Sequence, residues 1–226
     1  ALPTVFLGAL NLVLVPRLAR ACALGRPREV QRLAARAMAV VSVLTLPAMS
    51  LMVVLGPDLG RLLFAQDGVG QYLFPLAITM ALSCYCSVLG AVLNGVGQQK
   101  AVAAVSLLGG GVQLALTLAL VPLPGIGMGG YVAGALLSTL LEVALCLWFV
   151  VRYTALKLQP FQLLTAPGLA SLLSALTTNL LFRYLKDSGV DPMAAGLASL
   201  LFALVLYLAA LHAQGVQLRE MLRIKW

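Results

Sequence analysis

The sequence predicts an all-α polytopic membrane protein, a bundle of about seven transmembrane helices, on three observations. Hydrophobic residues make up 62% of the chain and charged residues 10%, against about half and about a quarter in an ordinary soluble domain. Apolar runs of about 20 residues, long enough to cross a bilayer as helices, follow one another along the chain. The charges gather at the ends of those runs. Backbone polar groups in lipid must pair within a helix or around a closed barrel, and uncharged runs this long exceed a barrel strand, so helices remain.

The elements follow in order. The first run, 1–16, begins inside apolar sequence, so the chain reads as a fragment; no basic stretch, short apolar core and cleavage site mark a signal peptide. Residues 17–36 form an Arg-rich loop. Pro27 suits a first helical position, and Arg28, Arg32 and Arg36 recur every four residues while Val30, Leu33 and Ala34 turn elsewhere. That is the layout of an amphipathic helix lying along the inner leaflet among anionic head groups, or of a loop that only anchors topology. Further spans are expected at 37–55, 71–93, 101–121, 127–151, 161–182 and 193–212. Gly56-Pro57-Asp58, Asn94-Gly95-Val96-Gly97, Pro122-Leu123-Pro124-Gly125 and Ser188-Gly189-Val190-Asp191-Pro192 are expected to break helices between them. Pro47, Pro75, Pro167 and Gly109-Gly110-Gly111 are expected to interrupt or loosen spans. Residues 1–160 then form a main lobe, 161–212 an additional helix pair, and 213–226 a basic tail.

Charge assigns the sides. One alternating set of loops holds Arg17, Arg20, Arg26, Arg28, Arg32, Arg36, Lys100, Arg152, Lys157, Arg219, Arg223 and Lys225, which is 12 of the 15 basic residues. The other holds Arg61, Arg183 and Lys186 with Asp58, Asp67, Asp187 and Asp191. Lys and Arg are retained on the cytoplasmic side, so the first set and the carboxyl terminus are expected there, in a cytoplasmic membrane. The net charge of +8 is explained by topology, and no nucleic-acid partner is expected.

Polar residues at helical spacing mark faces turned toward protein or water. The third span aligns Thr79, Ser83, Ser87, Gly90 and Asn94; the fourth, Ser106, Gly110, Gln113 and Thr117; the fifth, Tyr131, Gly134, Ser138 and Glu142; the sixth, Ser171, Ser174 and Thr178. Small residues on such a face also serve plain helix packing. Glu142 is the only acid well inside a span, and a charge at the bilayer centre costs about 2.5 to 3.5 kcal/mol on insertion scales. It is expected to face the bundle interior, either lining a transport pathway, where it could hold a cation, a coupling proton or a polar substrate group, or bonded structurally to a neighbouring helix. Cys22, Cys84, Cys86 and Cys146 lack metal or redox spacing and read as small hydrophobes. No Walker A loop, His-Glu-x-x-His or Gly-x-Ser-x-Gly is present, and the single histidine, His212, stands at a span end, so no enzyme, metal or cofactor is expected.

Three stretches carry a resemblance: Leu93-Asn94-Gly95-Val96-Gly97-Gln98-Gln99-Lys100 after Leu89-Gly90; Leu14-Val15-Pro16-Arg17-Leu18-Ala19 before the Arg-rich loop; and Gly125-Ile126-Gly127-Met128-Gly129-Gly130-Tyr131-Val132-Ala133-Gly134. Together they resemble the polysaccharide-transport and stage V sporulation protein B branch of the multidrug/oligosaccharidyl-lipid/polysaccharide flippase superfamily. The resemblance implies the second lobe of a two-lobed flippase, with two additional carboxyl-terminal helices and the other lobe in the same full-length chain. It implies alternating-access translocation of an undecaprenyl-linked sugar or peptidoglycan precursor. Related lipid II flippases place cations in the cavity, whereas the run 1–16 has none and offers Asn11 as its one strongly polar side chain. The pathway candidates are therefore Glu142, Gln113, Ser138, Asn11, Ser83 and Ser87. Arg17, Arg20, Arg28, Arg32, Arg36, Asn94 and Lys100 are candidates for a cytoplasmic gate or for contacts with membrane lipids. An ion-coupled exporter of the same superfamily and a non-transporting scaffold of a cell-envelope complex are the competing expectations.

Overall fold

The computed structural model describes residues 2–64, 70–122, 127–154, 171, 174, 176–181, 184–185, 198–199, 201–203, 205–207 and 209. Five long helices cover most of these: α1 (Leu2–Ala23), α2 (Pro27–Phe64), α3 (Gly70–Gly95), α4 (Gln99–Leu120) and α5 (Met128–Thr154). Among the described residues there is no strand. Within α2, and in α3, α4 and α5, stretches of 22 to 27 residues are long and apolar enough to cross a membrane. Pro122, the first residue of the expected break at 122–125, lies in the turn that follows α4; the rest of that break, the break at 188–192 and most of the expected spans 161–182 and 193–212 lie outside the described residues, as do Pro167, His212 and the tail.

Short turns join α1 to α2 and α3 to α4, and each is closed by a glycine. Gly25 at φ 63° and Gly97 at φ 81° adopt the left-handed conformation that L side chains rarely take. Arg26 N–H donates to the Ala21 carbonyl and Gly25 N–H to that of Cys22; Gln98 N–H donates to Leu93 and Gly97 N–H to Asn94. Both patterns satisfy the last carbonyls of the preceding helix and release the chain straight into the next one.

Four expected ends or interruptions at proline are absent. Helix α1 runs through Pro16 to Ala23, α2 runs through Pro47 and Gly56-Pro57 to Phe64, and α3 runs through Pro75. A proline forfeits one backbone hydrogen bond, but an apolar run offers the backbone no better partner than the rest of the helix. Pro16 lies with Leu12 on a face of α1 that this chain leaves uncovered, so its ring meets no neighbouring helix. Likewise α4 is continuous through Gly109-Gly110-Gly111. The Arg-rich segment is corrected too: it is neither a loop nor a separate interfacial helix, but the end of α1, a three-residue turn and the first turns of α2. Pro27 does open α2, and no breaker stands between Arg28 and Val41 to stop it.

The chain divides into two compact units, Ala1–Val41 with Ile78–Gln159, and Ser42–Ala77 with Pro160–Trp226. The core of the first unit is the α1 stripe Leu7, Leu14, Leu18 and Ala21, the α2 stripe Val30, Ala34, Ala37 and Val41, and most of α3 from Ala81 to Leu93. In the second unit Tyr207 donates to the Val43 carbonyl at 2.9 Å, and the Ser174 hydroxyl to Ala203 at 3.3 Å. The first bond joins α2 to a residue beyond 160, across the boundary expected between lobe and additional pair; the second joins the two expected spans of that pair. Ser171, Ser174 and Thr178 are buried together, which is the packing role small polar residues fill in membrane helices.

Candidate functional site

The first unit is held in fixed register. Asn11 of α1 meets Ser87 of α3, and Leu18 lies against Gly95 two turns further on, where a Cβ on the glycine would strike Leu18 and the Val15 carbonyl. The partners differ by 76 and 77 positions, so the two helices run parallel without slippage. Helices α4 and α5 run antiparallel: Gly109 faces Glu142, Leu116 and Thr117 face Gly134, and Leu120 faces Gly130. Gly130 and Gly134 form a small-x-x-x-small pair, the spacing that lets membrane helices approach to backbone contact.

At the centre of this unit three helices converge on Glu142. It lies midway along α5, and its side chain occupies the space a Cβ on Gly109 of α4 would need. The thiol of Cys86 on α3 donates to Glu142 Oε2 at 3.8 Å, and its sulfur is also 3.8 Å from that of Cys146, one turn beyond Glu142 on α5. The expectation that Glu142 faces the interior of the bundle is met in this unit. The reading of the four cysteines as small hydrophobes leaves out that Cys86 and Cys146 meet each other and that Cys86 also meets Glu142. A signal existed, since Cys146 follows Glu142 by four residues and so shares its face. The partner on α3 could not be read, because the register of α3 on α5 is set by tertiary packing. Among the described residues no group of three His, Cys, Asp or Glu can hold a metal ion.

A second polar place lies further round α3. Asn11, midway along α1, donates through Nδ2 to the Ser87 hydroxyl at 3.0 Å. Its Oδ1 is buried and has no hydrogen-bond partner among the described residues. Ser83, one turn before Ser87, is exposed on the same side of α3. The six pathway candidates are therefore not one cluster. Asn11 and Ser87 come together with Ser83 beside them; Glu142 meets α3 at Cys86, about 100° round the helix from Ser87; Gln113 is half-buried on the shoulder of α4 with Ser106, Gly110 and Thr117. Ser138 is 1% exposed and donates to the Ala135 carbonyl of its own helix at 3.0 Å, so its hydroxyl is committed to packing.

The cationic candidates collect at one end of the first unit. The end of α1 meets the end of α3 through Leu18 and Gly95, and the start of α2 meets the end of α5 through Gln31 Nε2 on the Thr154 carbonyl at 3.1 Å. Arg20, Arg28, Arg32, Arg36 and Lys100 are exposed there, while Arg17 and Asn94 are half-buried. Glu29 pairs with Arg26 at 3.5 Å, and Arg152 lies over the Trp148 ring at 5.2 Å. On α2 the arginines face away from buried Val30, Ala34 and Ala37, leaving the guanidinium row outside the helix packing.

No protein-family model matches the chain, and no curated protein sequence matches it. The fold is similar to a solved structure of the lipid II flippase MurJ in its inward closed conformation, with a TM-score of 0.69 at 15% sequence identity. The likeness covers 98% of this chain and 45% of the flippase chain, so the chain spans less than half the length of that neighbour. What is common at this identity is the fold, the all-α bundle of apolar helices expected from the sequence.

Proposed function

We propose that the chain is the second lobe of a flippase that carries a lipid-linked oligosaccharide or peptidoglycan precursor, built on undecaprenyl, across the cytoplasmic membrane by alternating access. The observation that carries this reading is the likeness of fold along 98% of the chain to a lipid II flippase. The Asn11 and Ser87 pair supports it, because a polar pair at mid-helix, with Ser83 exposed beside it, marks a face turned toward protein or water. In this reading the other lobe belongs to the same full-length chain, and the additional helix pair follows residue 160. The cationic end and the carboxyl terminus face the cytoplasm, where Arg17, Arg20, Asn94 and Lys100 form a gate and Arg28, Arg32 and Arg36 meet lipid head groups.

The test is reconstitution of the full-length protein in vesicles carrying a fluorescent undecaprenyl-pyrophosphoryl sugar, with a membrane-impermeant quencher reporting its arrival in the far leaflet. The proposal expects protein-dependent arrival that slows several-fold in Asn11→Ala. Folded protein that leaves the lipid where it started overturns it.

A second reading, an ion-coupled exporter, draws on Glu142 alone, the acid at the middle of α5. It expects efflux that follows a proton or sodium gradient and loses that dependence in Glu142→Gln. Gradient dependence unchanged in the folded variant removes it.

A further inference from the structure

We propose that Cys86 and Cys146 form an oxidation site at which a hydroperoxide is reduced and α3 becomes covalently joined to α5. The inference does not depend on what the protein transports. It rests on a thiol pair and a carboxyl that two helices, α3 and α5, bring together.

The two sulfurs are 3.8 Å apart, so less than about 2 Å of approach brings them to bonding distance, within the reach of side-chain rotation. Cys146 and Glu142 lie one turn apart on α5 and both turn toward Cys86. The Glu142 side chain is held in place from behind, because it fills the notch at Gly109. The two thiols differ in access: Cys146 is 2% exposed whereas Cys86 is only half-buried. Cys86 is therefore the thiol that meets the oxidant and Cys146 the one that resolves it. A buried thiol in apolar surroundings is ordinarily inert for want of a base to take its proton. Here the carboxyl oxygen Glu142 Oε2 stands 3.8 Å from the Cys86 sulfur, placed to accept its proton. Cys84, two residues from Cys86, is buried on the other side of α3, and Cys22 lies exposed at the end of α1.

The chemistry balances in two steps. The Cys86 sulfur attacks the terminal oxygen of the hydroperoxide while its proton passes to Glu142. The O–O bond breaks, the sulfur is oxidised to a sulfenic acid, and Glu142 returns the proton to the departing alkoxide, which leaves as an alcohol. The Cys146 sulfur then attacks the Cys86 sulfur; the S–O bond breaks, the hydroxyl leaves as water with the Cys146 proton, and the disulfide forms. Two thiols and one hydroperoxide give one disulfide, one alcohol and one water; hydrogen peroxide gives a second water in place of the alcohol.

The experiment uses the full-length protein in its native membrane, treated in parallel with tert-butyl hydroperoxide and with hydrogen peroxide. Remaining thiols are blocked with N-ethylmaleimide and the protein is digested for mass spectrometry. The expected product is a peptide pair joined through Cys86 and Cys146 and released by a dithiol. Faster reaction with the organic peroxide assigns a lipid-borne hydroperoxide; faster reaction with hydrogen peroxide assigns an aqueous one. In Cys146→Ser the sulfenic acid is expected on Cys86, trapped by dimedone, and Glu142→Gln slows linkage by about tenfold or more. Wild-type protein whose Cys22 is fully oxidised while Cys86 and Cys146 both remain open to alkylation overturns the proposal without recourse to any variant. So does linkage of Cys86 to any cysteine other than Cys146.

Discussion

Helices α3 and α4 are comparably apolar, yet 56% of the spanning window of α3 is buried within the chain against 17% for α4. From Ala81 to Leu93 α3 is packed on several sides, against α1 at Gly95, α4 at Gly90 and α5 at Cys86. Helix α4 buries one narrow stripe, Ala101, Val105 and Gly109, and leaves Leu107, Leu114 and Leu118 uncovered. The difference teaches that apolarity does not decide which membrane helix is central. Lipid and protein accept leucine equally, so position follows the small residues that admit a neighbour and the polar ones that need one.

The comparison breaks first at the core of α3. Leu93→Ala is expected to cost about 2 to 5 kcal/mol, and Leu107→Ala on α4 about 0.5 kcal/mol or less. Both are read from thermal unfolding of the detergent-solubilised protein, and similar losses would erase the distinction. Next come the notches. Gly95→Val and Gly109→Val each drive a side chain into a neighbouring helix and should destabilise by about 1 to 3 kcal/mol, measured in the same way. Asn11→Ala removes the bond to Ser87 and is expected to cost about 0.6 kcal/mol, the average for such bonds between membrane helices; a double-mutant cycle with Ser87→Ala isolates it. The smallest effect has the opposite sign. Gly110→Ala, one residue along from the notch, meets nothing within 4 Å and should stabilise α4 by about 0.5 kcal/mol through helix propensity alone. A loss there would show that the shoulder of α4 is covered in the native protein.

Much of this was legible beforehand. Uncharged runs gave the helices, and Asn94-Gly95-Val96-Gly97 gave a turn that closes through Gly97. The prolines misled, since the rule that they end helices describes chains with water as an alternative partner, and Pro16, Pro47 and Pro57 have none as good as the helix. Of the candidate site, the inward turn of Glu142 followed from the cost of exposing it to lipid. Its partners did not, because Cys86 and Gly109 are brought to it by two other helices whose registers no local pattern encodes. The same limit separated Asn11 and Ser87, 76 residues apart in sequence and joined in space, and it left Ser138 looking like a pathway residue when its hydroxyl is spent on Ala135.

Helix α2 has 38 residues, and an α-helix rises about 1.5 Å per residue. The uncharged run of α2, 37–57, measures about 31 Å, close to the hydrocarbon thickness of about 30 Å. Laid across a bilayer on that run, the helix puts Arg36 at the edge of the oil, Arg32 about 6 Å further out among head groups, and Arg28 about 12 Å out in water. Three residues that look alike in sequence then occupy three dielectric layers. Dissolved salt reaches Arg28 most readily and Arg36 least, so the outermost charge is the first to be screened as ionic strength rises.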